Sequence, residues 1–338
     1  MHMADALLSP TVGGAMWAVS AGAIAYSSSK VRTELDDRTV PLMGVLGAFL
    51  FAAQMINFTI PATGSSGHLG GGLLLAILLG PHAAFLTIAS VLMVQALFFA
   101  DGGLLALGCN IFNMGFIPAF LVYPLVYTRI AGPAPGRKRL VAATMISAII
   151  GLQLGPLGVV LETVFSGISS LPFSTFALLM QPIHLAIGVV EGAATVAIVT
   201  FVRAARPEII RGAMGARPLG RRPFRVALVA VFAAALLIGG VLSGFASKNP
   251  DGLEWAIAKV TGAEELKGPE GGLHAAVTAL QKRTAFLPDY SFKDTESRTK
   301  NDGVANLGTS VSGIVGGAIT LAIVFAGGFL LKRRRWVA

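Results

Sequence analysis

The chain has 338 residues, of which 54% are hydrophobic and only 13% charged, with a net charge of +9 and a mean hydropathy of +0.73. A soluble domain carries about 25% charged residues, so this composition excludes a water-soluble globular protein and makes lipid the solvent for much of the length. The basic surplus does not read as nucleic-acid binding, because it sits in short loops beside apolar runs rather than on a face with interleaved aromatics. One cysteine, Cys109, excludes a disulfide framework and a Cys-rich zinc site.

In chain order, apolar runs lie at 12–28, 42–60, 82–100, 104–128, 140–166, 175–203, 225–245 and 309–331. Each approaches or exceeds the roughly 20 residues that cross a hydrocarbon core. A ninth stretch, 69–80, reads LGGGLLLAILLG and ends at Gly80-Pro81; it is short for a full crossing. Residues 1–10 lack the basic region of a signal peptide, so His2 is expected to be retained. The short basic loop with Arg129, Arg137, Lys138 and Arg139, the stretch Arg203 to Arg225, and the run Lys332 to Arg335 mark one side of the bilayer. The loop 29–41, carrying Lys30, Arg32 and Arg38, shares that cytoplasmic side only if 69–80 counts as a crossing, full or tilted and partial. The expectation is a multi-pass cell-membrane protein with its N-terminus outside and its C-terminus cytoplasmic. His68 then shares the outer face with the N-terminus.

The Gly/Pro-rich basic stretch 204–224 reads as a cytoplasmic linker. It separates a compact multi-helix part, 1–203, from a two-helix part, 225–338, whose external loop 246–308 is long and nearly neutral. A Walker A motif is absent, so no ATP hydrolysis by that means is expected.

Chemistry is concentrated in few residues. The histidines are His2, His68, His82, His184 and His274. The last three read as rings hydrogen-bonded to neighbouring backbone. His2 differs by position: the Met1 amine, the His2 amide nitrogen and the His2 imidazole Nδ1 form adjoining chelate rings. Three nitrogens held near one plane favour square-planar coordination, which suits Ni(II) or Cu(II). His68, in the glycine-rich run from Thr63 to Gly72, is the natural fourth donor. Ser65 and Ser66 are candidates for fixing its imidazole, and Asn57, Asn110 and Asn113 for a hydrogen-bond network around the site. Gln54, Gln95, Asp101, Gln153, Glu162, Gln181 and Glu191 also lie in or at the ends of apolar runs, and read mostly as helix-packing residues facing the bundle interior.

Three motifs in order carry a family resemblance: Met1-His2-Met3-Ala4-Asp5, Gly64-Ser65-Ser66-Gly67-His68, and the run from Gln95 through Asp101-Gly102-Gly103 to Asn110-Ile111-Phe112-Asn113. Residues 1–203 resemble the M subunit of nickel/cobalt energy-coupling-factor transporters. Pro250-Asp251-Gly252-Leu253-Glu254 and Phe286-Leu287-Pro288-Asp289-Tyr290 resemble the small N subunit of the same systems. Cys109 stands where the family pattern has alanine. The resemblance implies an all-α integral membrane fold: a seven-helix substrate-binding bundle, then a two-helix N component with a large external loop. It implies a metal site on Met1, His2 and His68. It also implies a transported Ni(II) or Co(II) ion, no organic cofactor and no enzymatic activity. Its partners would be a transmembrane coupling subunit and ATPase subunits on separate chains. Ser66-Gly67-His68-Leu69 resembles the nickel branch; a cobalt importer serving cobalamin synthesis is the alternative. An ion-coupled secondary transporter would need buried charges in corresponding halves, and only Glu162 and Glu191 lie deep in the first part.

Overall fold

The computed structural model describes residues 2–34, 39–205, 221–292 and 302–335. Met1, residues 206–220 of the linker and 293–301 of the external loop lie outside the described residues.

A short 3-10 turn at Asp5–Leu7 precedes α1 (Pro10–Glu34) and α2 (Thr39–Gln54). A small hairpin follows, β1 (Phe58–Ile60) and β2 (Ser65–Gly67), antiparallel with Thr59 opposite Ser66. Next come α3 (Gly72–Leu79), α4 (Pro81–Phe99), α5 (Leu107–Ala131), α6 (Arg137–Ser166) and α7 (Phe173–Ala205). The C-terminal part contributes α8 (Arg221–Gly240), α9 (Gly252–Thr261), α10 (Gly272–Thr284) and α11 (Asp302–Arg335). Among the described residues five helices, α4 to α7 and the 307–330 portion of α11, have the length and apolarity of a membrane crossing; Thr39–Gln54 and Leu228–Gly240 are apolar but shorter. The chain is a mostly helical, multi-pass membrane protein.

The apolar runs of the sequence correspond to α1, α2 and α4 to α8, with the last falling in α11. Two differences are local. The run 42–60 stops being helical at Gln54, and 58–60 is a strand rather than helix. Ile60 precedes Pro61, and a residue before proline is pushed to extended backbone; the β-branched Thr59 and Ile60 suit a strand. The fold is therefore not purely α. The stretch 69–80 yields only an eight-residue helix, about 12 Å long at 1.5 Å per residue. Its residues Gly72 to Leu78 are all buried.

The largest core cluster joins α2, α3, α4 and α5, with Phe51, Leu75, Phe85, Ile88, Leu92 and Phe99 among its fully buried members. Within α5 the stretch Phe112–Tyr127 is a wider π-type helix that contains Pro118 and Pro124, residues that cannot donate to a regular helical ladder. Helices α6 and α7 pack along each other, while α8 and α11 pack on α2. The C-terminal part is thus built onto the first part.

Gly71 sets where α3 begins. Its φ is 74°, and a Cβ there would lie 2.1 Å from the Leu50 Cδ1 atom. Gly71→Ala is expected to cost about 1–2 kcal/mol for the left-handed backbone and about 1–3 kcal/mol more for overpacking. A lower unfolding temperature of the purified protein, measured beside Gly64→Ala as a left-handed but uncrowded control, checks this.

Candidate metal centre

The N-terminal residues form a buried plug. Met3, Leu7 and Leu8 are at most 1% exposed, and they pack with Leu105, Cys109, Phe176 and Met180. Main-chain bonds fix the segment: the Met3 N–H donates to the Asn110 Oδ1 atom at 2.8 Å, and the Met3 carbonyl accepts from the Gly103 N–H at 2.9 Å. The Asp5 carboxylate accepts from the Ala106 N–H at 2.9 Å. Asn110 therefore clamps the chain one residue from His2.

His2 is 7% exposed at its side chain, and its Nδ1 lies 3.0 Å from an Asp101 carboxylate oxygen. Its Nε2 is buried without a hydrogen-bond partner among the described residues. The His2 and His68 rings stack, with centroids 5.2 Å apart and planes 12° from parallel. His68 Nδ1 lies 3.1 Å from the Leu69 carbonyl oxygen, an acceptor, so the ring proton belongs on Nδ1 and the lone pair on Nε2. Burial pushes the His68 imidazole down to about 3, and the ring is neutral at ordinary pH. Burial alone would raise the Asp101 carboxyl; the adjacent His2 ring and the hydrogen bonds outweigh it and hold Asp101 below the usual carboxylate range.

The segment after His68 is held by polar side chains from apolar helices. Glu191 on α7 accepts from the Gly70 N–H at 2.8 Å and the Gly71 N–H at 3.0 Å. Gln54 at the end of α2 donates to the Gly70 carbonyl at 3.0 Å and accepts from Gln95 of α4 at 2.9 Å. Sequence alone read these three as helix-packing residues; in the structure Glu191 and Gln54 hold the backbone of the histidine loop and Gln95 holds Gln54. The available signal was the cost of placing such groups in apolar spans at all.

The C-terminal part closes over the same site from two sides. The Ser66 N–H donates to the Pro250 carbonyl at 2.8 Å, and Ser66 pairs with Asp251 as an added parallel bridge beside the hairpin. Asp251 caps α9 through the Leu253 and Glu254 N–H groups, with Glu254 returning to the Asp251 N–H. The Trp255 Nε1–H donates to the Thr63 carbonyl at 2.9 Å. On the other side the Tyr290 hydroxyl donates to Asp101, its ring stacks on Phe99 at 5.2 Å, and Gln281 caps the Ala96 and Gly102 carbonyls.

The structure brings His2 and His68 together, with Asn110 immediately behind. Met1 lies outside the described residues. Ser65 and Ser66 are buried beside His68, yet their hydroxyls turn to main-chain carbonyls, Ser66 to Asn249 at 2.7 Å, and not to the imidazole. Leu69 supplies that contact instead. Asn57 meets the C-terminal part through its carbonyl, which accepts from the Ser247 N–H at 2.7 Å. Asn113 donates to Glu162 at 2.7 Å, which gives that buried acid a local partner. His184 and His274 contact main-chain carbonyls, of Met180 and Leu8, each at 2.8 Å; His82 packs against Tyr26 and Phe120. Asp101, which the sequence read among the helix-packing residues, and Tyr290 and Asp251, which entered only as parts of the family motifs, lie beside the two histidines and the segments that hold them. Among the described residues no three His, Cys, Asp or Glu side chains converge as a metal cage.

A bundle of apolar helices that brings a half-buried histidine at position 2 against a half-buried loop histidine at position 68, covered by a second small unit, is the arrangement of a membrane transport component for a transition-metal ion. Residues 2–209 match the family described as the cobalt uptake substrate-specific transmembrane region, and residues 225–333 match the PDGLE domain. The chain belongs to that cobalt-uptake family, with the M-type and N-type parts fused, and it is a nickel/cobalt transport component rather than an enzyme. A protein of Archaeoglobus fulgidus that bears the provisional name of a fused nickel transport protein NikMN is 33% identical, over 96% of this chain and 97% of its own. The fused nickel transport protein NikMN of Rhodobacter capsulatus is 28% identical over 95% of each chain. A crystal structure of a truncated transition metal transporter aligns with a TM-score of 0.54 at 30% identity, over 60% of this chain and 99% of that one.

Removing the Glu191 carboxylate orphans the buried Gly71 N–H, at about 1–3 kcal/mol, and the half-buried Gly70 N–H at less. Glu191→Ala is expected to lower thermal stability and weaken metal binding together, with Glu191→Gln intermediate because its carbonyl still accepts; parallel melts and metal titrations of the purified variants check this.

Proposed function

We propose that the chain captures Ni(II) in a planar four-nitrogen site made by the Met1 amine, the His2 amide nitrogen, the His2 imidazole and the His68 imidazole. The observation that carries the reading is the near-parallel stacking of the His2 and His68 rings on a chain start that Asn110 clamps. A planar set of nitrogen donors favours Ni(II) over ions that prefer oxygen or tetrahedral surroundings; Co(II), the ion in the family's own description, is the second cargo the reading admits. Chelation through the His2 Nδ1 atom requires that atom to leave Asp101, 3.0 Å away. Asp101 thus competes with the ion for the imidazole, and Tyr290 ties that competition to the C-terminal part.

Such a site binds and presents an ion without moving it. CbiM-type components work with partner transport subunits; here the proposed partners are an energy-coupling transmembrane subunit and separate ATPase subunits. The orientation that accords with the basic clusters places the N-terminus and His68 outside and the C-terminus in the cytoplasm.

Equilibrium nickel binding to the purified full chain with a native N-terminus tests the reading. One added N-terminal residue, His2→Ala and His68→Ala should each weaken binding by more than about 100-fold, beyond the loss of an outer hydrogen-bonding partner. Unchanged affinity after extension would refute the amine chelate. Affinity should also fall from about pH 8 to pH 6, because amine and amide protons compete with the metal. His68, pushed down to about 3, has no proton to release over that range.

A further inference from the structure

His184 lies on α7 and is 1% exposed. Its Nδ1 sits 2.8 Å from the Met180 carbonyl oxygen, which places the ring proton there and leaves the lone pair on Nε2. That Nε2 atom is buried and has no hydrogen-bond partner among the described residues. An unmet buried acceptor costs about 1–3 kcal/mol, and a native structure that carries one calls for an explanation. A carbonyl fixing one ring nitrogen while the other stays open is the usual arrangement of a metal-ligating histidine.

Beside this ring is a cavity of about 10 Å³, lined by His68, Met114, His184, Asp251 and Gly252 among others. The volume suits one small occupant. Gly252 keeps the ring edge open: a Cβ there would lie 2.9 Å from the His184 Cε1 atom and 3.2 Å from Nε2. Leu152 and Ile187 complete the apolar part of its wall. Imidazole nitrogen with a thioether nearby is a donor combination for late transition metals. The cavity touches His68 and not His2.

We infer that His184 is a second metal ligand, a hand-over site that takes the divalent ion from the planar site while His68 remains bound to it. The inference rests on the reading of His2 and His68 as the capture site. An ion that loses the His2 chelate and keeps His68 meets the open His184 Nε2 across the shared cavity. Release then proceeds by ligand exchange rather than by freeing a fully bound ion in one step.

Equilibrium nickel titration of the purified full chain tests this in four forms, wild type, H2A, H184Q and H2A/H184Q, each with a thermal melt. H184Q alone should change affinity by no more than about twofold, since the planar site is intact. H2A should leave weak residual binding, and adding H184Q should weaken that residue by a further tenfold or so, the scale of a lost supporting ligand. Gly252→Ala in the H2A background should reproduce the loss by crowding the ring edge, which keeps the test open if H184Q melts early. Residual binding that H184Q and Gly252→Ala both leave untouched would overturn the inference. An equal loss from H184Q in both backgrounds would also overturn it and make His184 part of the capture site. Unchanged affinity in H2A itself would refute the planar site and the hand-over with it.

Discussion

The structure depends on satisfying a stretch of non-helical main chain deep among apolar helices. Residues 68–71 must bend away from the hairpin and into α3, and they lack a helix of their own to pair their N–H and carbonyl groups. In apolar surroundings each unpaired group costs several kcal/mol. Glu191 takes two N–H groups, Gln54 takes a carbonyl, and Gln95 steadies Gln54. These bonds fix the backbone just after His68, and the Ser66 N–H bond to the Pro250 carbonyl fixes it just before. The stacking of His68 on His2 follows from that anchorage on one side and from the Asn110 clamp on Met3 on the other.

The C-terminal part enters the same network. Its Pro250–Asp251 segment extends the hairpin that leads to His68, and its Tyr290 reaches the carboxylate that holds His2. A displacement of the C-terminal part would therefore reach both imidazoles, through Ser66 and through Asp101. That gives a physical reason for the two parts to be fused in one chain, since a tether raises the effective concentration of the covering unit over the site.

The apolar runs and their punctuation were legible because hydrocarbon length and charge placement are properties of local composition. The glycine-rich run from Thr63 read as a loop, but its strand β2 carries no apolar pattern and its partner β1 was hidden at the end of a run that reads equally as helix. The shortness of the helix in 69–80 was legible from the length of the run alone. His2 and His68 stood out through position and scarcity. Their supports did not: a glutamate or glutamine in an apolar run announces that it has a partner, not which backbone groups it meets. Ser65 and Ser66 show the converse, adjacent to the histidine in sequence yet bonded to the other half of the chain. His184 was half legible. Its contact with the carbonyl four residues earlier is what a buried histidine does by default, whereas the cavity facing its second nitrogen exists only once α7, α9 and the His68 loop are assembled.

The central claim is that the chain's own start and one loop histidine make a planar nitrogen cage. X-ray absorption at the nickel edge of the metal-loaded full chain tests it most directly. The account predicts four nitrogen ligands in a plane, at least two of them imidazole, with no sulfur and no ring of oxygen neighbours. A six-coordinate oxygen-rich spectrum, or a tetrahedral one, would contradict it.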